Sequence, residues 1–131
     1  MDDPIWISVE LAEAIHARQL AEHGGAEGVR DMNLLASAMS RPRNLFAYTD
    51  PTPDTCAMAA AYAFGIAKNH PFIDGSKRTS AVVCESFMNL NGLELQADDV
   101  TLYPIFLALA AGDSSEDELA AWLREHSAEV A

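Results

Sequence analysis

The chain has 131 residues, enough for one domain over 1–131 that buries a sizeable core without disulfides or a structural metal. Half of its residues are hydrophobic and 21% are charged, an ordinary balance for a soluble globular protein. With 20 acids against 8 Lys and Arg, the net charge of −12 argues against direct nucleic-acid binding and against an anionic membrane surface, both of which call for a basic face.

In chain order, the opening MDDPIWIS has no basic leader, and the longest apolar run, CAMAAAYAFGIA, is too short to span a bilayer, so the cytoplasm is the expected location. The first helix is expected from Ser8, a good N-cap, to Gly24, with Leu11, Ile15 and Leu20 as its apolar face. A second helix is expected to begin at Asp31 and to be stopped by Pro42. The following RPRNLFAYTDPTPD, rich in Pro, Thr and Asp, reads as a surface loop or flap. Asp54 then caps TCAMAAAYAFGIAKN, which is apolar nearly all round, as a helix in the middle of a bundle must be.

After the segment KNHPFIDGSKRTSA comes a helix starting near Ser76, with Val83, Phe87 and Leu90 on one face and Gly92 beyond its end. VTLYPIFLALAAG carries Pro104, expected in a first turn or at a kink. Ser115 and Glu118 form a capping-box pattern for the last helix. Two short alternating pieces, IWIS and LELQ, are candidates to pair as a minor β element. The fold class is all-α, with about six helices. Cys56 and Cys84 lie in apolar runs and read as reduced core residues.

The chemistry concentrates at KNHPFIDGSKRTSA, which holds both lysines of the chain, Lys68 and Lys77. A helix beginning at Ser76 leaves the N–H groups of Gly75, Ser76, Lys77 and Arg78 as candidate unsatisfied donors at the positive end of its dipole. Lys77 and Arg78 add positive charge there, an unfavourable placement unless an anion such as phosphate docks. Gly75 allows a positive φ and close approach of a ligand, and Asp74 is an oxygen donor of the kind that holds Mg²⁺ beside phosphates. His70 carries an imidazole, a side chain of the kind that takes a proton from an attacking hydroxyl. Phe72 reads as an anchor to the core. Singly, each residue has a plainer reading: Pro71 and Gly75 as turn residues, Asp74 as a helix cap, the two cations as solvated. Jointly they are the parts of phosphate-transfer chemistry. The other histidines, His16, His23 and His126, are scattered, and His16 reads as structural. No zinc pattern or P-loop is present.

HPFIDGSKR resembles the Fic-domain signature HPFx[DE]GN[GK]RxxR, and the lysine at position 77 is similar to the Doc ("death on curing") branch. GGAEGVRDMNLLASAMSRP, AAAYAFGIAKN, SFMNLNG and LAAGDSSEDELAAWLRE also resemble Doc-type segments. The resemblance implies a compact Fic-type helical bundle using ATP and Mg²⁺. His70 would be the general base, Asp74 the Mg²⁺ ligand, and Gly75, Ser76, Lys77 and Arg78 the phosphate nest. Arg41 to Pro53 would be the flap on which target chains dock. It further implies a toxin that moves the γ-phosphate of ATP to a threonine of the translation factor elongation factor Tu, neutralised by a Phd-type antitoxin.

Two positions depart from the signature. Ala81 stands where AMP-transferring members have a second arginine, which favours phosphoryl over adenylyl transfer. Ser76 stands where asparagine is usual, and one lost charge-assisted hydrogen bond of about 1.5–3 kcal/mol slows a reaction by roughly 10- to 100-fold. The alternatives are therefore a protein AMP transferase and a weakly active antitoxin-binding or co-repressor module. The autoinhibitory pattern [ST]xxxE[GN] is missed by SSEDEL, where Leu119 fills the last place, so regulation is expected from a separate chain.

Overall fold

The computed structural model describes residues 3–130. In order they form α1 (Val9–His23), α2 (Met32–Tyr48), α3 (Thr55–Asn69), α4 (Ser76–Leu90), β1 (Leu93–Leu95), α5 (Asp99–Ala111), α6 (Glu116–Glu125) and β2 (Ser127–Glu129). Local chemistry sets most helix starts. The side chains of Ser8, Asp31, Asp54, Asp98 and Ser115 each accept a first-turn N–H, supplying partners that a helix cannot give itself. Glu118 returns the favour to Ser115 and closes the expected capping box. The α4 helix is the exception: it opens on Gly75 at φ 80° with no side-chain cap.

The middle of the bundle is α3, which packs against α2, α4, α5 and α6. Residues 58–63 of α3 are all buried, and the alanines among them let neighbouring helices approach closely. At its crossing with α2, a Cβ on Gly65 would stand only 3.0 Å from the Cα of Ala38. Tyr62, Phe72, Phe87 and Phe106 fill the core with Ile66, Leu109 and Leu123; each such side chain contributes about 1.5–3 kcal/mol by leaving water. Both cysteines are free and buried, and burial pushes the thiol of each above its usual range.

The all-α reading with about six helices and a minor β element agrees with this architecture; several details differ. Pro42 does not stop α2, which continues to Tyr48 with the proline buried inside it. A mid-helix proline costs about 3 kcal/mol through a lost hydrogen bond and a clash with the carbonyl four residues back, here that of Ala38. Burial of the ring and the tight Ala38–Gly65 crossing offset that cost. The first part of the expected flap, Arg41 to Tyr48, is thus helical. Pro104 sits in the second turn of α5, not the first. LELQ does form a strand, but its partner is the segment after α6, with Leu93 opposite Glu129 and Leu95 opposite Ser127. IWIS instead runs as an extended strap held by side chains: Asn91 bonds the N–H and C=O of Ile5, and Tyr62 Oη bonds those of Ile7. On α1 the buried residues are Ala12 and His16, while Leu11 is exposed; on α4, Leu90 is exposed although Val83 and Phe87 are fully buried.

Candidate active site

The loop of residues 70–75 joins the last turn of α3 to the first of α4, so one side chain leaves a helix end and a set of backbone donors begins the next. His70 is the C-cap residue of α3, at φ 48° and ψ 57°, and its side chain is exposed. The left-handed region costs a non-glycine residue about 1–2 kcal/mol, and Pro71 forbids further helix. Three attachments hold this turn. Arg30 donates from Nε to the carbonyl of His70 and from Nη2 to that of Asn69, both at 2.8 Å. Its own N–H and that of Asp31 donate to the carbonyl of Pro71, at 2.6 and 3.2 Å. The amide of Asn69 donates to Leu34 O at 3.0 Å.

Farther along, Phe72 is fully buried, bridges Val29, and stacks on the imidazole of His16 with centroids 3.9 Å apart. The N–H of Ile73 donates to Gly28 O at 3.1 Å. His16 Nε2 lies 2.7 Å from the carbonyl oxygen of Asp74. The anchor reading of Phe72 is correct, and His16 is structural in a particular sense: it grips the loop. Asp74 is exposed; its Oδ1 accepts from Gly75 N at 2.9 Å and its Oδ2 from Ala26 N at 3.3 Å. Gly25 is required there, because a Cβ on it would stand 2.8 Å from Oδ2.

Gly75, in the left-handed region, turns the chain into α4. Among the described residues no group accepts from the N–H of Ser76, Lys77 or Arg78, and both cationic side chains are exposed. Arg78 reaches over the ring of Tyr103 at 5.8 Å. The first turn of α4 thus combines three free N–H donors, the positive end of the helix dipole and two exposed cations. Two of the candidate residues behave otherwise than their type suggests. Ser76 is buried, and its Oγ turns back to Phe72, accepting from its N–H at 3.3 Å, so that it offers an anion its backbone and not its hydroxyl. Lys68 points away, its Nζ beside Gly112 at the C-terminal end of α5, which leaves Lys77 as the lysine of the loop.

Two clefts lie along the helices that flank the loop. One of about 420 Å³, between α2 and α3, is lined by Ser37, Arg41, Asn44, Thr49, Phe64 and Asn69. Arg41 pairs with Glu116 at 2.6 Å and lies over Phe64. The other, of about 350 Å³, lies between α1, α4 and α5 and includes Arg78, Tyr103 and Glu85. Partial burial, and then the charge of Asp99, push the carboxyl of Glu85 up. Sequence reasoning passed over Arg30 and the grip of His16. The only signal was that Arg30 sits in GGAEGVRD, a segment that resembled the family without having a role.

The profile of the Fic/DOC family matches residues 6–88, from before α1 through nearly all of α4. Toxin Doc of Mycolicibacterium smegmatis is 39% identical over 75 residues, 57% of this chain and 58% of that protein. Protein kinase doc of Escherichia phage P1 is 29% identical over 118 residues, 90% of this chain and 92% of that protein. The chain thus spans less than two thirds of the first relative and nearly all of the second.

Proposed function

The chain belongs to the Fic/Doc family, and on that footing we propose that it is a Doc-type toxin transferring the γ-phosphoryl group of ATP to a hydroxyl of a translation factor. Elongation factor Tu is the first target to test, a Phd-type antitoxin the partner that neutralises the toxin, and the cytoplasm the place of action. The observation that carries this reading is the uncapped start of α4, with free N–H groups at Ser76, Lys77 and Arg78, one short loop away from the exposed imidazole of His70.

In this reading the three N–H groups, the helix dipole and the cations of Lys77 and Arg78 hold the nucleotide phosphates. His70 takes the proton of the target hydroxyl as its oxygen bonds to the γ-phosphorus. The bond from that phosphorus to the bridging oxygen breaks, and ADP leaves. Arg30 fixes the backbone from which the imidazole projects. Asp74 fits a Mg²⁺ ligand: it is exposed, and each carboxylate oxygen accepts one hydrogen bond and keeps a lone pair. Held by Asp74, Mg²⁺ would supply positive charge that offsets the negative charge of the transferred group. Ala81, buried and apolar, provides no second cation for a far phosphate. This supports phosphoryl over adenylyl transfer.

Ser76 favours a second reading in part. Its hydroxyl is committed to Phe72, which suits a slow enzyme or a module that chiefly binds its antitoxin. Incubation with purified elongation factor Tu and ATP labelled at either the γ or the α position separates these readings. Label from the γ position alone, lost in His70→Ala, is the expected result. Label from the α position makes the chain an AMP transferase. No label from either, with tight binding of a small antitoxin, leaves the binding module.

A further inference from the structure

The peptide plane between Asp74 and Gly75 can face two ways. Turning it by half a revolution changes ψ of residue 74 and φ of residue 75 and little else. Gly75 sits at φ 80°, and glycine takes the corresponding negative φ as readily. The local sequence therefore leaves the orientation open. Its consequence is large, since the Gly75 N–H now faces the Asp74 carboxylate at 2.9 Å. A turned plane would set a carbonyl oxygen on that side, against the carboxylate and against any phosphate held there.

One residue outside the loop decides between the two. His16 projects from α1, is 5% exposed, and brings Nε2 to 2.7 Å from the Asp74 oxygen. A carbonyl can only accept, so Nε2 carries the hydrogen. The ring cannot swing away, because it stacks on Phe72 with the planes 8° apart. It lies directly beneath Gly75, where a built Cβ would stand 3.6 Å from Cδ2 and Nε2.

We propose that His16 is a positioning residue whose Nε2–H locks the Asp74–Gly75 peptide in the orientation that keeps the mouth of α4 open to an anion. It touches neither nucleotide nor target. The proposal rests on the reading that this turn holds the phosphates of ATP.

The test compares two variants by titration with Mg–ATP and by the amide resonance of Gly75. His16→Phe keeps a ring to stack on Phe72 but has no donor. His16→Gln lacks the ring but can bring an amide N–H to the same carbonyl. Loss of one such hydrogen bond weakens binding about tenfold in His16→Phe, and the Gly75 cross-peak shifts or doubles there; in His16→Gln both stay near wild type. Unchanged affinity and an unmoved Gly75 resonance in His16→Phe overturn the proposal. So does equal impairment of both variants, which would make the ring and not the donor responsible. Should wild type itself fail to bind Mg–ATP while Gly75 still responds to His16→Phe alone, the nucleotide reading falls and the lock stands. A reading independent of any variant's folding is the imidazole Nε2 proton of His16 in the wild-type chain: it is expected as a slowly exchanging resonance, and its absence overturns the assignment.

Discussion

Replacing Arg30 with methionine removes a side chain that the sequence alone gave no role, and its effect can be worked out in advance. Two hydrogen bonds of 2.8 Å are lost, to the carbonyls of Asn69 and His70 at the end of α3. Arg30 is exposed, so water competes, and each bond is worth about 1 kcal/mol. The sum, about 2 kcal/mol, lowers Tm by roughly 6–10 °C in a domain of this size. Function suffers more than stability, because the same two bonds hold His70 at a φ of 48° that it would not choose unaided. Once released, the backbone relaxes and the imidazole shifts, and a displacement of 1 Å at a reacting group costs about 100-fold in rate. Arg30→Lys keeps the charge at the helix end and can make one bond, so it should recover about half of the lost stability. Thermal unfolding followed by circular dichroism, beside the labelled-ATP transfer assay, measures both effects. Wild-type Tm and wild-type transfer in Arg30→Met would refute the reasoning.

The same backbone strain predicts that His70→Gly is more stable than His70→Ala by about 1 kcal/mol, although both abolish transfer; equal denaturant midpoints would mean that the turn is unstrained. Gly65→Ala gains about 1 kcal/mol of helix propensity but forces a methyl to 3.0 Å from the backbone of Ala38, so a net loss of about 1 kcal/mol is expected, and a raised Tm would contradict the tight α2–α3 crossing. The hydrogen bond from Arg124 holds the Asp54 carboxyl below its usual range. A depressed folded-state value contributes stability above the unfolded value of about 3.9, and loses it as pH falls through the folded one. Asp54→Asn keeps a good cap without the charge, so its stability deficit should be present at pH 7 and shrink below about pH 4; a deficit that does not vary with pH would show that the pair contributes nothing.

Much of the fold was legible because helix starts are local. Ser8, Asp31, Asp54 and Ser115 each cap within three residues of themselves, and the pattern is visible in any short window. The start of α4 at Ser76 was legible for the opposite reason, as a run of cations and a glycine where a cap belongs. What escaped depends on distant partners. Pro42 remains inside a helix with its ring buried in the core, and β1 finds its partner more than 30 residues later, beyond α6. Arg30 meets its carbonyls about 40 residues away, and His16 meets Asp74 across 58. No spacing rule reports such pairs. Nor does a residue type say which way a hydroxyl turns; burial turned that of Ser76 inward to Phe72.

The central claim is that the mouth of α4 grips nucleotide phosphate. Titration of the chain with Mg–ATP, followed on the amide resonances of residues 75–78, tests it most directly. Saturable shifts concentrated on those four amides, weakened when Lys77 and Arg78 are both replaced by glutamine, are the predicted result. Resonances that stay in place up to millimolar nucleotide would contradict it.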